Sequence, residues 1–533
     1  MPGNKFYLTT PLYYVNSKPH IGHAYTEIAA DTLARFQRLV GREVFFLTGT
    51  DEHGQKVDKA AREAGMDPKE FADKMAGVFQ NLWTSLNIKY DRFIRTTDSH
   101  HVDTVKAAWL KLQEKDEIYL GSYTGWYCTP CEAFWTEGQL LTDENKRPIC
   151  PDCMRPVERI EEKNYFLRME KHQAWLMKYI KDHPGFIQPE VRRNEVQGFL
   201  ENNKLQDLCI SRPKIRLSWG IQSPISPDHV TYVWFDALMN YISALGWSDD
   251  EKKFEKWWPA NVHIVGKDIL RHHAVYWPII LRALDLELPH MIFAHGWWVQ
   301  GGQKMSKSRG NVTDPVQIAT LYGVDAFRYF LLSEAPFGWD GTFSEEALIE
   351  RYNADLANDL GNLLHRTLTM CEKYFNGEVR KNIQSEPNVK DDQRKEGFWT
   401  LHWTMYDRVK RLANKLSKSM EALAFKAALD EIWVLINNAN KFIEESAPWN
   451  LSKQGKTEDL ERVIVSLLEV LKVTAQAIWP FMPETGEKIW KQLGMSGSID
   501  ETPFKEGGWG FFKDGGKIAK GAPLFPRIDT RAE

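Results

Sequence analysis

Short apolar runs and helical stripes alternate along the first third of the chain. FYLTTPLYYV is rich in β-favouring residues, and after the polar stretch NSKPH the segment IGHAYTEIAADTLARFQRL spaces its apolar residues as a helix does. Strand, loop and helix are predicted in that order. EVFFLTGTDEHG repeats the theme, an apolar strand running into a Gly and Asp loop ahead of the helical QKVDKAAREAG. Further on, NVHIVGKDI and HMIFAHGWW are again short buried-strand runs that end in polar, Gly-containing turns. Strands alternating with helices predict an α/β fold with a doubly wound parallel sheet, whose ligands bind beyond the carboxyl ends of its strands.

The alternation is interrupted between 116 and 228, where paired cysteines and turn-rich stretches such as SWGIQSPISPDH read as an insertion. The sheet is therefore expected in two halves, 1–115 and 229–353. From 354 to 533 strand signals fade and long helical patterns take over. Leu460, Ile464, Leu467, Leu468 and Leu471 form one apolar stripe, so a helical bundle with a C-terminal tail is predicted there. KNIQSEPNVKDDQRKEG, 381–397, reads as an exposed connection between two of its helices.

A length of 533 residues exceeds one hydrophobic core and fits three or four domains. No run approaches the ~20 consecutive apolar residues of a membrane helix. The start, MPGNKFYLTTPLYY, lacks the basic-then-apolar layout of a signal peptide, so no membrane partner and a cytoplasmic location are expected. The 68 Lys and Arg against 72 Asp and Glu leave a formal net charge of −4, so any nucleic-acid site has to be a local basic surface. The 21 Trp suit cores, ligand pockets or base stacking, and composition does not choose among these.

Cys128, Cys131, Cys150 and Cys153 form C-x2-C-x18-C-x2-C, the spacing by which two knuckles supply four thiolates to a tetrahedral ion. Without a secretion signal, one structural zinc is favoured over disulfides. Four thiolates leave no open position for a catalytic water. Cys209 and Cys371 read as ordinary partly buried thiols.

Two further motifs carry chemistry. His20 and His23 flank Ile21 and Gly22 where the first strand hands over to a helix, and a helix start offers free N–H groups and partial positive charge to an anion. Taken alone, they read as surface or helix-capping histidines, because a four-residue motif recurs by chance. GGQKMSKSRGN is a polar, Gly-bounded loop that brings Lys304, Lys307 and Arg309 close together, suited to charge building on a pyrophosphate leaving group. A solvated basic loop would look the same. The two motifs gain meaning from their conjunction, each beside a strand of one predicted sheet.

HIGH at 20–23 and KMSKS at 304–308 match in full the two signatures of the class I aminoacyl-tRNA synthetases, which the chain resembles over nearly its whole length. Within that class it is most similar to the methionyl-tRNA synthetase family, through TTPLYYVNSKPHIGHAYT, LTGTDEHGQK, VWFDALMNY, VGKDILRHHAVYWP and DLANDLGNLLHR. The resemblance implies a Rossmann-type catalytic sheet at 1–115 and 229–353, the second half carrying the KMSKS loop and a stem-contact region. A zinc-binding connective insertion at 116–228 splits it, and a helical anticodon-binding domain follows at 354–533. It implies an ATP-dependent ligase that activates L-methionine as methionyl-adenylate, with Mg2+ accompanying ATP, and then charges tRNA(Met) for translation initiation and elongation.

The resemblance also assigns residues. His20, His23, Lys304 and Lys307 serve the phosphates, and Gly266 and Asp268 hold the adenosine ribose; an aspartate in such a turn is otherwise simply turn-forming. Asp51 pairs with the substrate ammonium and Arg212 steadies it. Leu12, Tyr14, Trp234, Ala237, Tyr241, Ile269 and His273 map onto the side-chain pocket, aromatic and polarizable enough for a thioether. Trp234 and Tyr241 would otherwise read as core. Leu238 and His272 depart from the proline and phenylalanine frequent at those places in the family. Asn362, Arg366 and Trp449 are implied to read the CAU anticodon. Outside the resemblance, Trp449 reads as a packed helix terminus and Arg366 as a partner for a carboxylate such as Asp359.

Synthetases for leucine, isoleucine and valine usually carry an editing insertion for which there is no room, and one for cysteine would place zinc ligands beside HIGH. A small-molecule nucleotidyltransferase would not need the helical third, and a zinc-knuckle RNA binder would leave both signatures unexplained. A monomer is expected, since no further strand-rich segment follows the bundle.

Overall fold

The computed structural model describes residues 4–129, 133–135, 137–300, 303–304, 313–379, 397, 399–504, 509–510 and 516–529. Its main sheet is parallel throughout. Lys5–Thr9 lies in the middle, paired on one side with Glu43–Asp51 and on the other with Val262–Gly266. Beyond Val262–Gly266 come Ile292–His295 and then Ile187–Gln188. On the far side Glu43–Asp51 pairs with Arg92–Arg95, while Tyr13–Tyr14 prolongs the line of the first strand against Thr50 and Asp51. Tyr7, Leu8, Phe46 and Leu47 are all wholly buried, so these strands are covered on both faces and read as near-continuous apolar runs.

Strand order reverses at Lys5–Thr9, because the next strand in the chain lies to one side and the strand from the second half to the other. Such a reversal opens a crevice at the carboxyl ends. The first helix, Ile21–Leu39, begins there, and nearly all its residues are buried.

The interrupted region forms a separate antiparallel sheet of Leu208–Cys209, Glu158–Leu167, Ile118–Cys128 and Ala133–Trp135. Ile160, Glu162 and Asn164 alternate on its covered face, so one buried carboxylate belongs to the strand's inner side. The predicted bundle is present as Asn362–Phe375, Trp399–Glu421, Phe425–Ser446, Thr457–Ile478 and Pro483–Gln492. All five residues of the Leu460 to Leu471 stripe are buried.

Three features differ from expectation. Glu378–Val379 pairs with Gly516–Lys517 inside a region read as wholly helical, because two-residue strands are too short to show a period. His272–Tyr276 and Tyr352–Gly361 are π-helical, the widened turn that often marks functional sites. Ile187–Gln188, inside the region read as an insertion, joins the main sheet, because a two-residue strand shows no period either. The connection read at 381–397 is not among these differences, since apart from Gly397 it lies outside the described residues.

One buried cation fixes the bundle to the sheet. Arg328 Nη2 donates to Asp31 Oδ2 at 2.7 Å and to the Pro480 carbonyl at 3.0 Å, and Nε donates to the Phe481 carbonyl at 2.9 Å. Asp31 also accepts from Arg35 Nε at 2.7 Å. Burial pushes the Asp31 carboxyl up, but the two guanidiniums outweigh it and hold the group below its ordinary value. The helix that starts at His20 is thereby tied to the turn before Pro483–Gln492.

Candidate active site

His20 is the N-cap of the first helix. The Gly22 backbone N–H donates to His20 Nδ1 at 3.0 Å, and the His20 backbone N–H donates to His23 Nδ1 at 3.1 Å. Since both Nδ1 atoms accept, each neutral ring carries its proton on Nε2. The rings stack with centroids 3.9 Å apart. Capping and anion binding are therefore compatible, because the cap selects the tautomer with an Nε2–H donor that a phosphate oxygen can use. A Cβ at Gly22 would stand 2.9 Å from His20 Cε1, so only glycine lets that ring fold over the helix start.

Beneath them Glu27 is wholly buried and accepts from Thr10 Oγ1 at 2.8 Å and Thr48 Oγ1 at 2.5 Å. Burial pushes its carboxyl up to about 7 against the lowering effect of these hydroxyls.

Across the reversal point, Val262–Gly266 ends in a turn where a Cβ on Gly266 would meet Asp268 Oδ1 at 2.6 Å. Asp268 is exposed and accepts from Trp297 Nε1 at 3.3 Å. Asp340 supports that contact: Oδ1 accepts from the Trp297 backbone N–H at 2.8 Å, and Oδ2 accepts from Lys267 Nζ at 2.7 Å. Lys267 Nζ in turn stands 4.1 Å from the centre of the Trp297 ring. Lys304 belongs to Gln303–Lys304, paired with Trp298–Gln300, which is paired with Gly341–Thr342. The Lys304 side chain and all of Lys307 lie outside the described residues.

The residues assigned to the amino acid are spread over several elements. Asp51 closes Glu43–Asp51, is buried, and sits in register with Tyr14. Trp234 and Ala237 lie on the short helix Val233–Leu238, and Tyr241 on Asn240–Ser243. The Tyr241 hydroxyl and His273 Nε2 are 2.7 Å apart, and His273 Nδ1 is 2.9 Å from the Ile269 carbonyl. Leu12 and Ile269 pack against the core cluster that holds Leu238 and Tyr241. Trp234 stacks on His272 with centroids 3.5 Å apart and an interplanar angle of 16°. Burial pushes the His273 pKa down to about 4 and that of His272 well below its ordinary value, so both rings are neutral. Trp234 and Tyr241, which alone would read as core residues, are indeed half-buried and wholly buried. Arg212 is buried too; its Nη1 donates to Glu162 Oε2 at 3.1 Å, and its guanidinium lies 4.1 Å from the Tyr127 ring centre.

Sequence reasoning missed several polar groups behind these residues. Asp236 accepts from His53 Nδ1 at 2.7 Å and from His101 Nε2 at 2.8 Å. Glu52 takes Arg95 through two bonds of 2.6 and 2.8 Å. A charged residue inside the apolar VWFDAL was the available signal for Asp236; nothing in the sequence pairs it with either histidine.

Cys128, Cys150 and Cys153 bring their sulfurs within 4.8 Å of one another, with Cys128 and Cys153 at 3.5 Å. Sulfurs at the corners of a zinc tetrahedron stand about 3.8 Å apart, given Zn–S bonds near 2.3 Å. The cluster fits a metal ion, and Cys131 lies outside the described residues.

In the bundle, Asn362 opens Asn362–Phe375 and is exposed. Arg366 Nη2 pairs with Glu444 Oε1 at 2.6 Å, a different carboxylate from Asp359. Glu444 lies near the end of Phe425–Ser446, and Ala447, at φ 41°, turns the chain into Pro448–Lys453, where Trp449 is 39% exposed. Asn440 Nδ2 donates to the Asp359 carbonyl at 3.0 Å, so the start of one helix and the end of the other are adjacent. No described helix is long and apolar enough to cross a membrane.

Residues 6–368 match the family model described as tRNA synthetases class I (M), and residues 402–515 match the anticodon-binding domain of tRNA ligase. A methionine–tRNA ligase of Caldanaerobacter subterraneus is 49% identical over 99% of this chain and 80% of its own length. That of Thermotoga maritima is 46% identical over 99% and 81%. The structure of Mycobacterium tuberculosis methionyl-tRNA synthetase in complex with methionyl-adenylate superposes with a TM-score of 0.90, at 39% identity, covering 98% of this chain and 100% of that one.

Proposed function

This chain belongs to the methionine–tRNA ligase family of the class I tRNA synthetases, and from that premise we propose how its residues divide the work. The reaction has two steps: the methionine carboxylate attacks the α-phosphate of ATP to give methionyl-adenylate and pyrophosphate, and the terminal ribose hydroxyl of tRNA(Met) then takes the acyl group. No covalent enzyme intermediate is needed, so catalysis is positioning plus stabilisation of charge on phosphorus and pyrophosphate.

One observation carries the assignment of residues. Three neighbouring strand ends of one parallel sheet present the capped His20 and His23 pair, the buried Asp51 and the Gly266–Asp268 turn at the point where strand order reverses. ATP lies across that reversal, its phosphates toward the Nε2–H donors of His20 and His23 and toward Lys304 and Lys307, its ribose hydroxyls donating to Asp268. Mg2+ accompanies the phosphates. Asp51 takes the methionine ammonium, and Arg212 steadies that carboxylate. Leu12, Tyr14, Trp234, Ala237, Tyr241, Ile269 and His273 enclose the thioether.

Asn362, Arg366 and Trp449 read the anticodon from one surface of the bundle, with the exposed indole as a stacking platform. Cys128, Cys131, Cys150 and Cys153 hold one structural zinc. The chain divides at 1–115, 116–228, 229–353 and 354–533, and acts as a cytoplasmic monomer. Exchange of labelled pyrophosphate into ATP that depends on methionine supports this reading. Exchange supported instead by leucine, isoleucine, valine or cysteine would sink it.

A further inference from the structure

The two ends of the proposed methionine site sit on different elements. Asp51 ends a sheet strand, whereas Trp234 and Ala237 ride on Val233–Leu238, a helix of six residues. A wholly buried carboxylate links the two. Asp236 lies between Trp234 and Ala237 in the chain; its Oδ2 accepts from Nδ1 of His53, two residues past Asp51, at 2.7 Å. Its Oδ1 accepts from His101 Nε2 at 2.8 Å, and His101 Nδ1 is 2.8 Å from Ser243 Oγ, at the end of the short helix that carries Tyr241. Burial pushes the Asp236 carboxyl up, but His53 and His101 outweigh it and hold it below its ordinary value, so the group is an anion.

We propose that Asp236, clamped between His53 and His101, is the positioning element that sets the span of the methionine site, and so the side-chain length it accepts. This rests on the reading that Asp51 takes the ammonium and that Trp234, Ala237 and Tyr241 enclose the thioether. The physical ground is directional. Apolar contacts of so short a helix let it slide by a few tenths of an ångström, whereas two hydrogen bonds to an ionised acceptor are short and fixed in direction. Asp236 accepts only, so both bonds need N–H donors. An asparagine amide at 53 can offer N–H close to the position of Nδ1; leucine cannot.

The test is methionine-dependent pyrophosphate exchange compared with S-methylcysteine, one methylene shorter, and ethionine, one longer. His53→Leu is expected to reduce the preference for methionine over both by about tenfold, the low end of what one methylene is worth in a closed pocket. The loss should sit in the amino-acid KM, with kcat and the ATP KM within about twofold of the parent. His53→Asn should restore most of the preference, and Asp236→Asn should behave as His53→Leu does. If Asp236→Asn fails to fold, the His53 pair alone decides. Preferences unchanged in His53→Leu overturn the proposal, as does an equal loss of kcat for all three amino acids that His53→Asn does not restore. Asp51→Asn separates the two levels. If it leaves the methionine KM unchanged, the underlying reading fails; if it raises that KM while His53→Leu keeps the preference, only the span proposal falls.

Discussion

Replacing Tyr241 by phenylalanine removes one buried oxygen, and the structure sets its cost. The tyrosine hydroxyl stands 2.7 Å from His273 Nε2. His273 Nδ1 is 2.9 Å from the Ile269 carbonyl, which can only accept, so that nitrogen carries the hydrogen and Nε2 is a lone pair taking the tyrosine proton. In Tyr241→Phe the lone pair stays buried without its donor, which costs about 1–3 kcal/mol. Protonating the ring offers no escape. Burial pushes its pKa down to about 4, so charging it at pH 7 would cost about 4 kcal/mol at roughly 1.4 kcal/mol per unit. The Tyr7 hydroxyl bond to the Tyr241 carbonyl, at 2.8 Å, is untouched, so the backbone stays anchored.

Replacing both partners, Tyr241→Phe with His273→Leu, removes acceptor together with donor and should recover most of the loss. Thermal melting of the parent, the two single variants and the double variant closes the cycle, and each kcal/mol lost should lower the transition of the sheet by about 2 °C. Pyrophosphate exchange on the same proteins should show a raised methionine KM in Tyr241→Phe with the ATP KM unmoved. A Tyr241→Phe protein that melts with the parent, with coupling below about 0.5 kcal/mol, would refute the reasoning.

Lys307→Ala should slow adenylate formation about 10²- to 10³-fold in single turnovers, if the ammonium meets charge that develops only in the transition state; an unchanged rate removes it from that role. Trp449→Ala should weaken tRNA(Met) binding by about 1–3 kcal/mol while pyrophosphate exchange persists, and loss of both activities together would point to a misfolded bundle. Elemental analysis should find about one zinc per chain, lowered in Cys150→Ser, and a metal-free protein that melts as the parent does would contradict a structural site. Stability should fall with acid from about pH 6.5 toward 4. Burial lowers the pKa of His263, His272, His273 and His295, so the unfolded chain binds more protons across that window. Glu27, pushed up to about 7, acts in the opposite sense, its contribution fading as pH rises from about 4.5 to 7. Glu27→Gln should therefore steepen the acid dependence, and a flatter curve in that variant would falsify the assignment.

The sequence made legible those parts of the molecule whose physics is local. A strand feeding a helix at a Gly-containing turn has a periodicity and a cap, and both are written within some twenty residues around His20. The bundle stripe from Leu460 to Leu471 is equally local, since one helix face buries itself whatever its partner. The capping and phosphate readings of His20 and His23 could not be separated in sequence because one arrangement is compatible with both: the cap chooses the tautomer, and that tautomer has the Nε2–H the phosphate reading requires. Contacts between distant segments were illegible. His53 and Asp236 are 183 residues apart, and Arg328 and Asp31 are 297 apart. No period links such pairs; only the sheet order brings them together, and each is a buried charge that folding must satisfy once it is enclosed. The same asymmetry separates Arg366 from its expected partner. Asp359 is nearer in sequence, but the bond from Asn440 to its backbone carbonyl brings Phe425–Ser446 alongside, and the next turn of that helix supplies Glu444 instead. Helix spacing alone selects the face on which Arg366 stands, and the packing of a second helix against that face selects its carboxylate.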